Sequence, residues 1–158
     1  MRQWEKQFKV AQELEGELYF RFRDDIFLTT RKSKVEMDKI LIDLGKIDKN
    51  IGLTFETGQF VDYLDMRISV ENSNFRTKVF RKLAAQPYIL PFNSAHPPHV
   101  VKNIPFSALL RAVRVCSHSE DLVIEIEKIR ITLLLNKYPS YFIDRHFRRF
   151  FRRGNGSK

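Results

Sequence analysis

Two adjacent carboxylates, Asp24 and Asp25, interrupt a stretch that otherwise has the composition of β-strand, YFRFRDDIFL at residues 19–28. Aspartate is depleted within strands and enriched in turns, so the pattern predicts a hairpin whose tip or upper rim carries both acids. The pair has two interpretations. It is only a turn, or it holds a divalent cation such as Mg²⁺, which prefers carboxylate oxygens and orients phosphate groups in phosphoryl transfer.

A second group of residues suited to chemistry lies near the C-terminus, where arginine and phenylalanine interleave in DRHFRRFFRR at residues 144–153. Arginines at helical spacing can neutralise phosphates while the phenylalanines pack beneath them, a pattern that favours nucleic-acid binding. A solvated helix face and an amphipathic helix on a membrane surface are the alternatives. The residues predicted to contact nucleic acid are Arg111, Arg114, Arg145, Arg148, Arg149, Arg152 and Arg153.

The overall charge also favours a polyanionic partner. The chain has 28 Lys and Arg residues against 19 Asp and Glu residues, which gives a net charge of +9. Residues 101–158 carry 12 of the basic and 5 of the acidic side chains, so the basic character belongs to the C-terminal part. A single cysteine, Cys116, excludes an internal disulfide framework. The sequence shows no signal peptide and no transmembrane segment, so we expect an intracellular protein, in the nucleus or the cytoplasm, without a membrane partner.

The hydrophobic pattern predicts the elements that position these residues. Residues 3–14 have helical spacing, residues 18–30 resemble a strand pair, and a second helix begins behind the N-cap residue Ser33. Short strands follow at residues 61–80, with the polar tetrapeptide ENSN at residues 71–74 as a hairpin loop. This order predicts an α+β fold with a mainly antiparallel sheet.

The segment AAQPYILPFNSAHPP at residues 84–98 holds four of the six prolines and marks a boundary, because proline interrupts helices and central strands. Three helices are predicted behind it. The second of them follows a capping-box pattern at Ser117 and Glu120, and the third has Pro139 in its first turn. The predicted organisation is a sheet-containing part at residues 1–83, a proline-rich connector at 84–98, a helical module at 99–153 and a flexible tail at 154–158.

These residues also carry a resemblance to a known family. Phe22-Arg23-Asp24-Asp25 resembles the aromatic-x-Asp-Asp motif of reverse transcriptase palm domains, with Phe22 at the position usually held by tyrosine. The segments YLDMRI, TKVFRK, NSAHPPHVVKNIPFSALLRAVRVCS and NKYPSYFI resemble, in this order, the stretch from the active-site hairpin into the thumb of Penelope-like retroelements and related animal reverse transcriptases. The helical part also looks like the helix-turn-helix domain of such animal proteins.

The resemblance covers about residues 4–150 and implies the C-terminal part of a palm, followed by a thumb or helix-turn-helix-like module, of an RNA-directed DNA polymerase. In that family, Mg²⁺ or Mn²⁺ ions held by the paired acids align a primer 3′-hydroxyl with the α-phosphate of the incoming nucleotide. Asp24 matches the catalytic carboxylate, and Asp25 matches its neighbour. The implied partner is an RNA–DNA hybrid or a primer–template. Lys137 stands where the family commonly has glycine.

The family also needs an upstream aspartate and the fingers that hold the nucleotide, and 23 residues precede Asp24. We therefore expect a fragment that is inactive alone, with the missing fingers and palm portion as a partner in trans, and no room after Lys158 for a GIY-YIG endonuclease. The alternative is a non-catalytic helical nucleic-acid-binding or protein-interaction domain in which the aspartates form only a turn.

We interpret the other potential metal ligands as residues without a metal-binding role. Asp62 and Asp65 are expected to be solvent-facing charges of half-buried strands. The remaining donors lack the spacing of structural zinc modules, and the cysteine among them falls on the apolar stripe of a predicted helix. These donors are His96, His99, Cys116 and His118.

Overall fold

The structure of the protein is a computed structural model that describes residues 16–47, 52–82 and 89–154. The described ranges confirm the predicted α+β fold and its helical C-terminal module. The predicted helix at residues 3–14 lies outside them. The strands are β1 (Tyr19–Phe22), β2 (Asp25–Leu28), β3 (Phe60–Tyr63), β4 (Met66–Glu71) and β5 (Asn74–Val79), and the helices are α1 (Lys34–Gly45), α2 (Pro98–Val115), α3 (Ser119–Leu135) and α4 (Ser140–Arg152).

Strands β1 and β2 form the antiparallel hairpin that the sequence predicted. Phe22 pairs with Asp25 at its closed end, so Arg23 and Asp24 form a two-residue loop. Arg23 has a φ of 54°, in the left-handed region that two-residue hairpin loops require. Glycine adopts this backbone conformation with less strain than arginine does. The alternating residues of the two strands therefore specify this hairpin, and the loop residue does not.

Helix α1 begins with the predicted capping box. The backbone N–H of Glu36 donates to the Ser33 hydroxyl at 3.3 Å, and the backbone N–H of Ser33 donates to the Glu36 carboxylate at 2.9 Å. The Ser33 hydroxyl also donates to the Glu36 carboxylate at 2.7 Å. This bond and the one from the Ser33 backbone N–H hold the pKa of Glu36 below its usual value, because both stabilise the charged form. Met37 on the inner face of the helix is buried.

The strands make two sheets, one formed by β1 and β2 and one with the strand order β3-β4-β5. The chain folds into two compact units, a first unit at residues 1–64 and a second unit at residues 65–158. This division by packing does not coincide with the proline-rich segment at residues 84–98, of which 84–88 lie outside the described residues. The assignment of palm, connector and thumb stays a prediction.

In the second unit, the β4–β5 hairpin packs against α2 and α3. Its loop is the predicted ENSN tetrapeptide. Glu71 pairs with Asn74, and the two central residues, Asn72 and Ser73, both have positive φ angles, 49° and 62°. Positive φ at both central positions is the type I′ geometry that matches the twist of the flanking strands.

The core of the second unit lies between the three helices. Apolar residues on one side of α2 and α3 face this core: Leu109, Val113 and Cys116 are buried on α2 and at its C-cap, and Ile129 and Leu133 are buried on α3. Each fully buried side chain of this size contributes about 1.5–3 kcal/mol relative to exposure. The cluster consists of Val101, Leu109, Ala112, Val113, Ile129, Leu133, Tyr138, Ile143, Phe147 and Phe150.

The predicted capping box at the start of α3 is wrong. The N-cap residue is His118, which makes no side-chain cap hydrogen bond. Ser117 instead joins strand β5: the Thr77 N–H donates to the Ser117 hydroxyl at 2.9 Å, and the Ser117 N–H donates to the Thr77 carbonyl at 2.9 Å. Strand β5 lies at the edge of its sheet, and Ser117 pairs with its outward backbone groups instead of capping the helix.

Helix α2 begins at the end of the proline-rich segment. Its first residue is Pro98, a favourable position because proline at the first helical residue loses no intrahelical bond. The helix continues past Pro105, which is buried in the core. Of the helices described here, none is long and apolar enough to cross a membrane.

Candidate nucleic-acid interface

Helix α4 carries arginines on the side opposite its buried face. Ile143, Phe147 and Phe150 are buried in the core. At 100° per residue, the arginines that intervene point away from that face. We call these side chains the α4 arginine face, which consists of the exposed residues Arg145, Arg148, Arg149 and Arg152, continued at the C-cap by the exposed Arg153.

These guanidinium groups are available for external anions. Within residues 16–47, 52–82 and 89–154, none of the five makes an ion pair, and Arg148 donates only to the backbone carbonyl of Asp144 at 3.3 Å. The arginine side chains at the end of α4 also lie near its C-terminal carbonyls, where positive charge is favourable. The face therefore keeps its positive charge and its donors exposed.

The turn between α3 and α4 fixes the direction of the arginine face. The Tyr138 N–H donates to the Leu133 carbonyl at 3.1 Å, and the Lys137 N–H donates to the Leu134 carbonyl at 3.0 Å, which together form a Schellman motif. Lys137 has a φ of 69°, the left-handed conformation that glycine adopts most easily. The position where the resembled family commonly has glycine thus has the backbone geometry that glycine suits.

A segment before α2 supports the same turn. The Phe92 N–H donates to the Asn136 carbonyl at 3.0 Å, and the Tyr138 hydroxyl donates to the Leu90 carbonyl at 3.0 Å. The Phe92 ring contacts the rings of Tyr138 and Phe142 at centroid distances of 5.3 and 5.1 Å. Part of the predicted connector is therefore packed into the helical module and holds α4 in place.

Other arginines of the module have internal roles. Arg130 of α3 donates to the Asp144 carboxylate of α4 at 2.6 Å and lies over the Phe147 ring at 5.2 Å from its centroid. This ion pair joins the two helices and neutralises the charge of Arg130. It also neutralises Asp144, the single acidic residue of α4.

Two further predicted contacts lie on α2. Arg111 makes an ion pair with Asp65 at 2.7 Å, with both side chains about half exposed. A pair this accessible contributes about 0–1 kcal/mol, so a phosphate can replace its carboxylate at low cost. Arg114 is exposed. The five arginines at α4 thus share one helix, whereas Arg111 and Arg114 belong to another.

Tyr141 is a residue that the sequence analysis did not single out. It is 70% exposed and lies one turn before Arg145, so it shares the α4 arginine face. An exposed aromatic ring among arginines offers a surface on which a nucleic-acid base can stack. The spacing of four residues between Tyr141 and Arg145 indicates that both side chains share one helix face. Only the structure shows which side of α4 is buried and which is exposed.

The aspartate pair lies where the sequence predicted it. Asp24 is in the hairpin loop, Asp25 begins β2, and both are exposed. Tyr63 of β3 lies close by: burial raises the pKa of its phenol, the negative charge of Asp25 raises it further, and a hydrogen bond with the Phe22 backbone partly opposes the change. The ring of Tyr63 also contacts Phe27 at a centroid distance of 5.7 Å, which anchors the hairpin in the first unit.

The donor chemistry at this tip fits Mg²⁺ or Mn²⁺ only in part. Two carboxylates supply hard oxygen ligands, whereas these ions take six ligands, several of them water. Among the residues that the structure describes, no group of three or more His, Cys, Asp or Glu side chains is arranged to hold a metal ion. Cys116, one of the potential zinc donors, is buried as predicted. The hairpin thus offers two protein ligands, Asp24 and Asp25, and water would have to supply the rest.

Comparison with known proteins gives one match. A search of the curated proteins and a search of the solved structures each found nothing that matches the chain. Residues 88–148, which include α2, α3 and most of α4, match the model of a protein family described as the animal helix-turn-helix domain.

Proposed function

We propose that the second unit binds nucleic acid through the α4 arginine face. The observation that carries this proposal is the set of five exposed arginines without ion-pair partners among the described residues, on the helix that ends a segment matching a helix-turn-helix domain. In helix-turn-helix proteins, the helix after the turn lies against the nucleic acid. Helix α4 follows the turn that ends α3, so we assign this position to it.

The proposed interaction is mainly electrostatic. Each arginine that neutralises a phosphate releases condensed counterions, so affinity falls as the salt concentration rises. Guanidinium groups suit this role because they are always charged and donate two parallel hydrogen bonds to phosphate oxygens. Such contacts position the protein without reading bases, so we expect little sequence preference from these arginines.

The motifs at residues 22–25 and 63–143 support a more specific proposal. The chain corresponds to the palm and thumb regions of a reverse transcriptase similar to those of Penelope-like retroelements, and its nucleic acid is an RNA–DNA hybrid or primer–template. Asp24 and Asp25 would hold Mg²⁺ or Mn²⁺, which neutralises phosphate oxygens when bound. The exposure of both carboxylates at the hairpin tip supports this assignment.

The test of the arginine face is a salt series on the binding of the full chain to a labelled RNA–DNA hybrid. Gln replaces all five arginines in one variant. In a charge-matched control, Gln replaces five exposed basic residues outside α4. We expect the slope of log affinity against log salt to flatten by about 3.5–4.5 in the first variant, since each lost phosphate contact removes about 0.7–0.9. The control positions are Arg31, Lys34, Lys39, Lys46 and Lys82, which lie outside both α4 and the hairpin motif at residues 22–25.

Two results would contradict the proposal. The first is a control variant that flattens the slope as much as the α4 variant, which would mean that only net charge matters. The second is a wild-type chain that stays folded but binds no hybrid at low salt. Circular dichroism checks that each variant remains folded. All the substituted positions are exposed, so we expect the fold to be kept.

The metal assignment has its own test. Mn²⁺ titrated into the labelled chain should broaden the amide resonances of the hairpin tip, because a bound paramagnetic ion relaxes nearby nuclei. An Asp24→Asn/Asp25→Asn variant should lose this broadening. Broadening that persists in the variant, or that is absent from the wild type at millimolar Mn²⁺, would show that this pair does not hold the ion.

A further inference from the structure

One exposed aromatic ring lies among the arginines of the α4 arginine face. At 100° per residue, Tyr141, Arg145, Arg148, Arg149 and Arg152 lie within an arc of about 100°, opposite the buried side of the helix. The distance along the helix axis from Tyr141 to Arg152 is about 16 Å, since each residue advances the helix by about 1.5 Å. The ring is at the N-terminal end of this surface, one turn before the first arginine.

The exposure of the Tyr141 ring distinguishes it from the neighbouring aromatic residues. Tyr138 is 2% exposed, and its hydroxyl donates to the Leu90 carbonyl. The rings of Phe142 and His146 contact each other at a centroid distance of 4.0 Å. The side chain of Tyr141 is exposed and has no ring contact or hydrogen-bond partner among the residues that the structure describes. Its ring is therefore open to a ligand.

The position of the Tyr141 ring matters more than its exposure. A single exposed aromatic residue needs no explanation, because folded proteins expose many apolar atoms. Here, however, a strand whose phosphates contact the arginines along α4 must pass beside the ring. Aromatic rings next to positively charged tracks are the surfaces on which proteins stack the bases of unpaired nucleic acid.

A duplex cannot use this ring in the same way. Bases inside a duplex stack on one another, so their faces are covered. An RNA–DNA hybrid also has A-form geometry, with a major groove too deep and narrow for side chains to read the bases. A hybrid lying on α4 would contact the arginines through its phosphates and leave Tyr141 without a base. An unpaired strand supplies both phosphates and free base faces.

We propose that α4 binds an unpaired strand in preference to a duplex, with one base stacked on Tyr141 and the following phosphates on the arginines. This inference rests on the proposed nucleic-acid binding by the α4 arginine face and specifies the ligand of that face. On a hybrid with a single-stranded extension, α4 takes the extension. The length of the surface suits about four nucleotides, near the lower end of single-strand site sizes.

The test compares two hybrids that differ only in the bases of their extension. One is an RNA–DNA hybrid with a single-stranded extension of about six nucleotides, which exceeds the expected site size. The other carries an abasic extension with the same number of phosphates. Fluorescence anisotropy titrations with the full chain measure both affinities at one salt concentration. Wild type should bind the extension with bases about 5- to 150-fold more tightly, which is the effect of one stacked base.

Three variants assign this difference to the ring. Tyr141→Ala should bind both hybrids with equal affinity, whereas Tyr141→Phe should keep the difference because it keeps the ring. The matched control is Phe75→Ala, which removes a 47% exposed ring of strand β5 and should leave the difference unchanged. The salt slope of Tyr141→Ala should equal that of the wild type, since no phosphate contact is lost. Circular dichroism checks that the variants fold.

Two outcomes would overturn this inference and leave the proposed function intact. One is equal wild-type affinity for the two extensions, together with hybrid binding that the arginine replacements weaken, which would mean that no base is stacked. The other is a difference that Tyr141→Ala retains, which would place the stacked base elsewhere. A folded wild-type chain that binds neither hybrid at low salt would refute both the inference and the proposed function.

Discussion

Replacing Arg81 with methionine should destabilise the second unit, because it leaves a buried carboxylate without its partner. Both Arg81 Nη atoms donate to the Glu125 carboxylate, one to Oε2 at 2.7 Å and the other to Oε1. Glu125 is 4% exposed on the inner side of α3. The same contact raises the pKa of Arg81, since the hydrogen bonds to Glu125 stabilise its charge.

The expected magnitude follows from the exposure of the two partners. Removing one partner of a fully buried ion pair costs about 3–5 kcal/mol. The Arg81 side chain is 41% exposed, so water can reach Glu125 once the guanidinium is gone, and the pair is only partly shielded. We therefore expect a loss of about 2–3 kcal/mol in the free energy of unfolding.

Chemical unfolding in urea, followed by the circular dichroism of the helices, measures this loss. Arg111→Met is the matched control, because it removes the same group from the exposed pair with Asp65 and should cost at most about 1 kcal/mol. An added Glu125→Met change should recover part of the stability of Arg81→Met, because no charge then stays buried. The reasoning fails if Arg81→Met costs no more than Arg111→Met, or if the double variant is less stable than Arg81→Met.

Three further predictions concern the helical module. Lys137→Gly should raise the free energy of unfolding by about 0.5–1 kcal/mol in urea titrations, since glycine relieves the left-handed strain at some entropic cost, and a loss of stability would contradict the Schellman geometry. Tyr141→Ala should weaken binding to single-stranded RNA by about 1–3 kcal/mol in anisotropy titrations while leaving the salt slope unchanged; Tyr141→Phe, which keeps the ring, should bind like wild type, and equal losses in both variants would exclude stacking. The hydrogen bond from Arg76 lowers the pKa of Asp121 in the folded chain, so its stabilisation is complete above the unfolded pKa of about 3.9 and is lost as the pH falls through the lower folded value. Asp121→Asn should accordingly flatten the decline of unfolding free energy between about pH 5 and pH 2, and an unchanged decline would assign it to other carboxylates.

The sequence alone predicted the local elements because their signals lie within a few residues. Alternation around Asp24 and Asp25 predicted the first hairpin, and the ENSN tetrapeptide at residues 71–74 predicted the second. The Ser33 capping box was also correct, since one turn of helix contains all the residues that the pattern needs. The arginines of DRHFRRFFRR were correctly predicted to lie opposite the packed phenylalanines.

Only the tertiary structure decided which polar groups of α3 face inward and how the turn before α4 is held. Asp121 and Glu125 have the sequence character of exposed helix residues, but Arg76 and Arg81, 45 and 44 positions away, pair with them inside the unit. Ser117 likewise forms hydrogen bonds with Thr77, 40 residues away, instead of capping α3 as predicted. The local periodicity of the sequence indicates which apolar residues can be buried. A charge or a hydroxyl is buried favourably only with a partner, and here that partner lies in a distant part of the chain.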